Sequence, residues 1–513
     1  MYSYVSTGAL NGIESYLATV EVDASTGLPG FEMVGMLNAE VKEAKERVRV
    51  ALKNNGFSTP PLRVTVNISP ANLRKNGTAY DLPIAIALLI AVGELSQESV
   101  EEVLIVGELG LNGEVKFTSG ILPMVLQAQK EGIKVCLVPK ENAEEGAVVE
   151  NVCVIGVSSL GEVIEYLHAN AAERKKCFKR ARVDPVKLMA DGGIYTGLDY
   201  AQISGQENVK KAVETAAAGF HHILLIGAPG AGKTMIAKRI PSILPPLSIE
   251  DSLEVSKIYS ISGMLNEKQI LITRRPFCSP HHTISEQAFA GGGRIPKPGV
   301  VSLAHKGVLF LDEVVHFSHA AIEVLRQPME DKKVQIARAY GTFTYPADFM
   351  LVAAMNPCPC GHYPDRNRCA CNESQVRKYL SAISGPILDR IDICVEVSRM
   401  EMKDLELSGG ESSGAMRERI QRARQMQQER FEGLGITFNA QMGPEEIKQF
   451  CKLDDKERKF VEQAFDALKL SARAYHKILK VARTIADLDG SERIGEIHLA
   501  QAIAYRSVDR KYW

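Results

Sequence analysis

The sequence has no excess of charge of either sign, no long apolar run and few cysteines, and each absence excludes a class of protein. Its 61 Lys and Arg residues balance 62 Asp and Glu residues, so a general basic coat for nucleic acid is excluded and any nucleic-acid contact must be local. The 10 cysteines do not make a secretory disulfide framework. The longest apolar run, about 12 residues from Leu82, is too short to cross a bilayer. The first residues show no secretory signal pattern, and we expect a cytoplasmic protein without membrane contact.

The chain has 513 residues, 45% hydrophobic and 24% charged, which is the balance of an ordinary globular protein. At roughly 150 residues per domain, this length predicts about three domains. Strand and helix patterns alternate over 1–168, a basic stretch without periodicity at 169–197 is interpreted as a linker, a second α/β region covers 198–400, and 401–513 is helical. In the first region we predict strands at 16–23, 62–68, 103–106 and 133–138, and helices at 38–55, 82–94 and 121–131.

The run GAPGAGKT at 227–234 gives the strongest functional signal. It follows an apolar run that predicts a buried strand and precedes a helical pattern. Its glycines let backbone N–H groups curl around phosphates, and the helix N-terminus adds partial positive charge. Lys233 would neutralise the β and γ phosphates of ATP, and Thr234 would offer its hydroxyl to Mg²⁺. The predicted ATP-binding residues are Gly227, Ala228, Pro229, Gly230, Ala231, Gly232, Lys233 and Thr234.

A second apolar run, GVLFLDEV at 307–314, ends in two carboxylates. Asp312 is predicted to hold Mg²⁺ together with Thr234, and Glu313 to act as the general base for the attacking water. Taken alone, the pair is an acidic strand end. Downstream of a phosphate-binding loop, it predicts an ATP hydrolase.

Three polar residues complete the features of a ring-forming ATPase. Asn356 follows the apolar run FMLVAAM and would orient the water near the γ-phosphate. Arg390 would reach into a neighbouring subunit as an arginine finger, or it forms a local salt bridge with Asp389 or Asp392. Arg473, in the first turn of an amphipathic helix, would fold over the nucleotide as a second sensor, or it is a surface arginine.

Together these residues resemble the AAA+ ATPases, and in particular the magnesium-chelatase-like proteins of the YifB/ComM family. The resemblance covers essentially the whole chain and rests on GAPGAGKT, RPFCSPHHTISEQAFAGGGRIPKPGVVSLAHKGVLFLDEV, LRQPMEDKKVQIARA, AAMNPCPCGHYPD, SGPILDRID and SARAYHKILKVARTIADLDG. It implies an α/β fold with a P-loop AAA+ core and a C-terminal helical lid. It also implies a homo-hexameric ring that hydrolyses ATP at its subunit interfaces and, for ComM-like members, DNA branch migration during natural transformation.

The N-terminal region resembles the proteolytic domain of Lon, a ribosomal-S5-like α+β domain, in LRKNGTAYDLPIAIALLIA, GELGLNGEV and AQKEGIKVCLVPKEN. That resemblance implies a Ser–Lys dyad, in which Ser attacks and Lys takes its proton. Ala79 stands at the nucleophile position and Leu122 at the general-base position. We therefore predict a domain without peptidase activity that docks a protein partner or organises the ring.

Four cysteines crowd into the segment CPCGHYPDRNRCAC. They are Cys358, Cys360, Cys369 and Cys371. Four thiolates can close a tetrahedral Zn²⁺ site, and such an ion would be structural and would rigidify the loop that follows Asn356. Three alternatives remain open: His362 replaces one cysteine, the loop is reduced and metal-free, or the cysteines hold a [4Fe–4S] cluster.

Two insertions in the ATPase region would face a ring's channel if the magnesium-chelatase-like topology holds. The first is AFAGGGRIPKPG, and the second, KKVQIARAYGTFTYPA, predicts a hairpin with strands at 334–338 and 342–345. Positive charge and one stacking ring would hold DNA there without reading its bases. The predicted DNA-binding residues are Arg294, Lys297, Lys332, Lys333, Arg338 and Tyr340. A structural hairpin with incidental charges is the alternative.

The function that these features favour is an ATP-driven hexameric DNA motor, a helicase or branch-migration translocase acting in natural transformation or recombination. One alternative is the motor subunit of a metal chelatase, although the sequence shows neither a porphyrin site nor a D-x-S-x-S metal motif. The other is a protein unfoldase or scaffold, which the Lon-like region suggests.

Overall fold

The computed structural model describes residues 1–57, 61–192, 197–339, 341–399, 409–468 and 470–513. Two sheets organise this part of the chain, one of seven strands before the basic stretch and one of five strands after it. The helices that follow the second sheet pack on it and share its core. The predicted α/β class is confirmed. The predicted start of the lid at 401 and the end of the linker, 193–196, lie outside the described residues.

The first sheet mixes antiparallel and parallel pairs in the order β3-β4-β2-β1-β5-β8-β9. Its seven strands are β1 Tyr2–Asn11, β2 Glu14–Ser25, β3 Gly30–Val34, β4 Arg63–Ser69, β5 Val103–Ile105, β8 Val135–Pro139 and β9 Cys153–Val157. A separate antiparallel hairpin is formed by β6 Glu108–Leu109 and β7 Val115–Lys116. The helices are α1 Ala39–Asn54, α2 Asp81–Ala91, α3 Ile121–Lys130, α4 Ala143–Ala147 and α5 Leu160–His168. The predicted strands and helices are present with slightly different ends. Every residue of α2 is buried, as its continuous apolar run predicts.

The basic stretch at 169–197, interpreted from its sequence as a linker without periodicity, is partly helical. It contains two helices, α6 Ala171–Cys177 and α7 Pro185–Gly192. Asn170 caps α6 because its side chain accepts from the N–H of Glu173, while the Glu173 carboxylate accepts from the N–H of Asn170. Arg180 forms an isolated antiparallel β-bridge, through the backbone, with Ile155 of β9. The first half of the stretch therefore packs on the N-terminal sheet.

The second sheet is parallel throughout, in the order β11-β14-β17-β10-β18. Its strands are β10 Ile223–Gly227, β11 Phe277–Cys278, β14 Val308–Leu311, β17 Met350–Met355 and β18 Ile393–Val397, and two hairpins beside it are formed by β12 Gly291–Gly292 with β13 Lys297–Pro298 and by β15 Lys333–Arg338 with β16 Gly341–Pro346. The helices of this region are α8 Glu207–Gly219, α9 Lys233–Ile243, α10 Ile249–Ile261, α11 Glu286–Ala290, α12 Val300–Leu303, α13 His319–Val324, α14 Arg326–Asp331, α15 Glu373–Leu380 and α16 Gly385–Leu388.

The register of this sheet brings three predicted site segments to one edge. Ile226 of β10 lies opposite Met355 of β17, and Leu311 of β14 lies opposite Ala353. The residues that follow these strands therefore meet at the carboxyl edge of the sheet, where open α/β sheets bind their ligands.

The last part of the chain is helical, as predicted. Its helices are α17 Ser413–Arg430, α18 Pro444–Phe450, α19 Asp455–Ala467, α20 Ala472–Leu488 and α21 Glu496–Tyr512. Lys477 of α20 pairs with Asp392, which precedes β18, at 2.9 Å between Nζ and Oδ1. The lid therefore contacts the amino edge of the sheet. Across the described ranges, no helix has the length and apolar character needed to cross a membrane.

Candidate functional site

The GAPGAGKT run forms a loop between β10 and the start of α9. Gly230 and Gly232 have φ values of +76° and +93°, which residues with a side chain rarely adopt. Gly227 has no room for a side chain either, because a Cβ there would lie 2.4 Å from the carbonyl oxygen of Val397. The loop has the strand–turn–helix context in which backbone N–H groups bind phosphates.

Lys233 is directed into this loop. Its Nζ donates to the carbonyl oxygens of Gly227 at 2.6 Å and Ala228 at 3.0 Å, and to Oδ1 of Asn356 at 3.0 Å. Burial lowers the pKa of the ammonium group, while the carboxylates of Asp312 and Glu313 act in the opposite direction. A phosphate group would supply the negative charge that these neutral acceptors lack.

The two carboxylates take different positions at the end of β14. Thr234 Oγ1 donates to Oδ2 of Asp312 at 2.7 Å, so one Mg²⁺ ion would be within reach of both oxygen ligands. Glu313 is exposed and has a left-handed backbone, with φ +50°. Its N–H donates to Oδ1 of Asp312 at 3.0 Å. The hydroxyl and carboxylate predicted to hold Mg²⁺ and the carboxylate predicted as general base are therefore adjacent.

Arg390 is held by a partner that its sequence context did not indicate. Its Nη2 lies 2.5 Å from Oε1 of Glu330, and its Nη1 donates to the carbonyl oxygen of Pro386 at 2.7 Å. The predicted alternative of a bridge to Asp389 or Asp392 is not what the structure contains. Glu330 lies 60 positions earlier in the sequence, so no local pattern could have identified it.

Arg473 does not lie over the phosphate loop of its own chain. It is exposed on α20 and lines a cavity of about 360 Å³ together with Arg390, Lys332 and His222. His222 immediately precedes β10, whose five residues span roughly 15 Å at about 3.3 Å per residue. The cavity is therefore at the opposite edge of the sheet from the phosphate loop. Arg473, predicted to fold over the nucleotide as a second sensor, is therefore away from the phosphate loop of its own chain, because α20 docks at the amino edge.

The two predicted insertions lie side by side. Arg338 Nε donates to the carbonyl oxygen of Gly293 at 3.2 Å, and Tyr345 Oη donates to that of Pro296 at 2.7 Å. These bonds place Arg338 beside the short hairpin that carries the exposed side chains of Arg294 and Lys297. The predicted hairpin at 334–345 is confirmed.

Two lysines predicted near the hairpin turn lie instead at its base. Lys333 is paired with Pro346 at the start of β15, and Lys332 precedes that strand and lines the cavity of Arg390. Burial lowers the pKa of Lys332. The grouping of Lys332 with the turn is therefore wrong, because the strand begins one residue after it. Tyr340, the predicted stacking ring, lies outside the described residues.

The positions that would carry a protease dyad are packed apolar side chains. Ala79 and Leu122 belong to one buried cluster, against which Leu253 of α10 packs. Glu145, a buried residue that the sequence analysis missed, accepts from the N–H of Leu122 and from Oγ of Ser260 at the end of α10. This face of the N-terminal domain therefore contacts the ATPase region. Glu145 is the last of three acidic residues in the short segment KENAEE, and no pattern there would have revealed its role.

The four clustered cysteines converge on one point. Their sulfur atoms lie within 4.8 Å of one another, with Sγ–Sγ distances of 3.3 Å for Cys358–Cys360, 3.6 Å for Cys360–Cys369 and 3.8 Å for Cys358–Cys369. His362 is not part of this group. The four sulfurs are arranged as ligands of a single metal ion would be.

Comparisons with known proteins cover the whole chain. Three families match successive parts: Subunit ChlI of Mg-chelatase at 20–142, Magnesium chelatase, subunit ChlI at 199–405, and Magnesium chelatase, subunit ChlI C-terminal at 410–506. The chain is 40% identical over 512 residues to competence protein ComM of Haemophilus influenzae, covering 99% of this chain and 97% of that protein. It is 42% identical over 511 residues to the uncharacterized protein YifB of Escherichia coli, with the same coverage.

A more distant similarity extends to proteases. Lon protease 2 of Bacillus subtilis is 27% identical over 226 residues, which are 38% of this chain and 39% of that protein. The phosphate-loop geometry, the parallel sheet and the full-length identities agree with one another. The chain belongs to the YifB/ComM family of magnesium-chelatase-like AAA+ proteins.

Proposed function

We propose that this protein is an ATP hydrolase that assembles as a hexameric ring and moves DNA, as a helicase or branch-migration translocase in natural transformation or recombination. Its cofactors are ATP and Mg²⁺. The observation that carries the hydrolase is the cluster at the carboxyl edge of the second sheet. There Lys233 contacts Asn356 at 3.0 Å, and Thr234 contacts Asp312 at 2.7 Å.

The ring explains why two arginines lie at the wrong edge for their own nucleotide. Arg390 and Arg473 line one cavity at the amino edge of the sheet, whereas the phosphate loop is at the carboxyl edge. We propose that the ring is head-to-tail and that each subunit presents its amino edge to its neighbour's nucleotide. Both guanidinium groups then stabilise the charge that develops on the neighbour's γ-phosphate. On nucleotide binding, Arg390 exchanges its exposed partner, Glu330, for phosphate oxygens.

DNA is the polymer that the paired insertions fit best. The bonds from Arg338 to Gly293 and from Tyr345 to Pro296 hold the two hairpins as one unit. Arg294, Lys297 and Arg338 add three positive charges to that unit. No groove-reading helix accompanies them in the described residues, so binding rests on phosphates and is independent of base sequence. The similarity to ComM, a competence protein by name, supports the same polymer.

The test compares ATPase rate, DNA affinity and unwinding of branched DNA in one preparation. Replacing Arg294, Lys297 and Arg338 together by Ala should abolish DNA stimulation and unwinding, and should leave the basal ATPase rate largely intact. The slope of log K against log salt should become shallower by about 2–3, since each lost phosphate contact contributes roughly 0.7–0.9.

A matched control removes the same charge elsewhere. Lys452, Arg458 and Lys459 are exposed in or just before α19, and their triple Ala variant should bind and unwind DNA as the parent does. Normal unwinding by the insertion variant would rule out the hairpins as the DNA-moving element. A parent protein that ignores DNA but is stimulated by an unfolded protein would favour the unfoldase, and one that ignores both would favour the chelatase-type motor or scaffold.

We further propose that the four cysteines bind one structural Zn²⁺. Zinc–sulfur bonds of about 2.3 Å in a tetrahedron separate the sulfurs by about 3.8 Å. The sulfurs of Cys358, Cys360 and Cys369 are 3.3–3.8 Å apart, and that of Cys371 lies within 4.8 Å of them. A [4Fe–4S] cube needs its thiolates farther apart than one ion does. Cys358 Sγ also accepts from the N–H of Tyr363 at 3.4 Å, the kind of contact that supports a metal-bound thiolate.

A further inference from the structure

Gly361 lies in the cysteine loop, residues 358–371, and directly against the phosphate loop, residues 227–234. Its φ is +79°, and a Cβ there would be 2.3 Å from Cδ and 3.0 Å from Cγ of Pro229. No side chain fits between them, so the backbone of the cysteine loop packs on the proline ring. Pro229 stands between Ala228 and Gly230 in the run that the P-loop motif defines. The cysteine loop is therefore one wall of the nucleotide site.

The cysteine loop is fixed at several other points. It follows Asn356, whose Oδ1 accepts from Lys233. Cys358 is fully buried, and its carbonyl oxygen accepts from the N–H of Gly361 at 3.0 Å. Farther along, the ring of Tyr363 lies 6.1 Å from that of Tyr512, between centroids, in α21. The loop therefore connects the nucleotide site to the last helix of the lid.

We propose that Gly361 is a positioning residue for the phosphate loop, and that a metal ion on the four thiolates holds Gly361 in that position. This inference rests on the zinc site proposed above. Eight residues separate Cys360 from Cys369, and without a metal this segment samples many conformations. Closing it on one ion fixes Gly361 against Pro229. Metal loss therefore weakens nucleotide binding although no cysteine touches the nucleotide.

The experiment measures zinc content and the Kd for a fluorescent ADP analogue in the full-length protein. Gly361→Ala should keep about one zinc ion per chain and raise the Kd about tenfold or more. The added Cβ must displace Pro229 and the backbone N–H groups beside it, and a misplacement of about 1 Å can cost about 10²-fold in catalysis. The matched control is Gly433→Ala. Gly433 has a similar φ, +76°, but nothing within 4 Å of a Cβ. Its variant therefore has the same backbone strain without a steric clash, and it should bind the nucleotide as the parent does.

A second comparison tests whether the effect comes from the contact between Gly361 and Pro229 or from a general disruption of the fold. Pro229→Ala removes Cδ and Cγ, so Gly361→Ala should cost less in a Pro229→Ala background than in the parent. Cys369→Ser should lose zinc and raise the Kd in the same direction as Gly361→Ala. If a variant does not fold, zinc is stripped from the parent with a chelator and restored, and the Kd should rise and then recover.

The possible outcomes distinguish failure of this inference from failure of the proposed zinc site or of the proposed ATP hydrolase. A Gly361→Ala variant within about twofold of Gly433→Ala, or a zinc-free parent with an unchanged Kd, would overturn the inference and leave the zinc site standing. A parent purified without zinc would refute the zinc site and this inference together. A zinc-loaded parent that binds no nucleotide would refute the ATP hydrolase instead.

Discussion

Nζ of Lys233 lies 3.0 Å from Oδ1 of Asn356, and this hydrogen bond joins the phosphate loop to the end of the neighbouring strand. The bond follows from register: β10 and β17 are parallel neighbours, with Ile226 opposite Met355. Asn356 directly follows β17, and Lys233 begins α9 after the turn that leaves β10. The lysine predicted to bind phosphate and the amide predicted to orient water are therefore held together by the sheet.

Glu313→Gln should keep nucleotide binding and lose most hydrolysis. The amide cannot accept the proton of the attacking water, and loss of a general base costs about 10²–10⁴ in rate. Lys233→Ala should weaken binding itself, because it removes the cation from the phosphate loop. Steady-state ATPase rates and the Kd for a fluorescent nucleotide separate the two effects.

Glu432→Gln is the control for this prediction. Glu432 is exposed after α17, so the same carboxylate-to-amide change there should leave both measurements at the parent value. Parent-level turnover by Glu313→Gln would mean that another group takes the proton.

Arg390 and Arg473 should act on a neighbouring subunit. Each single Ala variant should lose about 10³-fold or more in ATPase rate if its arginine meets the transition state. Mixing Arg390→Ala protein with Lys233→Ala protein should restore some activity, because mixed interfaces pair an intact arginine with an intact phosphate loop. Mixing Arg473→Ala with Lys233→Ala should do the same.

The reference for this experiment is each variant at the same total concentration without its partner. Rings that contain both chains, shown by crosslinking of differently tagged subunits, but that recover no activity would refute action in trans. Activity of the parent should also rise with protein concentration as rings form.

Local sequence patterns predicted the phosphate site. The features that these patterns missed depend on contacts between residues far apart in the sequence. GAPGAGKT fixes its own strand, turn and helix, and the apolar runs around 308–311 and 350–355 identify strands that must be buried. Lys477 pairs with Asp392 where α20 docks, and no spacing encodes this contact. Local patterns therefore placed Arg473 in the first turn of a helix but did not predict which edge of the sheet it occupies. Lys332 was misplaced for a smaller reason: the strand starts at Lys333, and that register is set by pairing with Pro346.

The N-terminal domain should cleave no peptide. Ala79 and Leu122 offer no nucleophile and no base, and the neighbouring α10 packs Leu253 against their cluster. Casein incubated with the protein, ATP and Mg²⁺ should stay intact in preparations that hydrolyse ATP. Thr78, directly before Ala79, carries a hydroxyl group. Cleavage that copurifies with the chain and disappears in Thr78→Ala would therefore reveal Thr78 as a different nucleophile.

Introducing the missing base should unfold the domain rather than repair it. Leu122 is fully buried, and Leu122→Lys places a charge in that cluster at a cost of several kcal/mol. Leu122→Met, which keeps the volume, should cost less than about 1.5 kcal/mol. Urea denaturation of both variants followed by circular dichroism measures the difference, and equal stabilities would show that this site is open to water.

His222 should make the protein less stable as the pH falls from about 6.5 to about 4. Burial is the main cause that lowers the pKa of His222 from 6.5 to about 4, with Lys477 acting in the same direction and Asp392 against it. The ring is also held neutral because its Nδ1 accepts from the N–H of Leu351 at 3.0 Å.

The direction in which stability changes with pH depends on whether the folded or the unfolded chain binds the proton. Between these two pH values the unfolded chain protonates His222 and the folded chain does not, so acid favours unfolding. The stability from the neutral ring is fully present above pH 6.5 and falls by about 1.4 kcal/mol per pH unit until about pH 4.

His222→Gln keeps an acceptor but cannot be protonated in this range. The free energy of unfolding of the parent minus that of the variant should therefore be constant above pH 7 and decrease below pH 6.5. A difference that stays constant down to pH 4 would show that His222 takes up a proton as readily in the folded chain as in the unfolded chain.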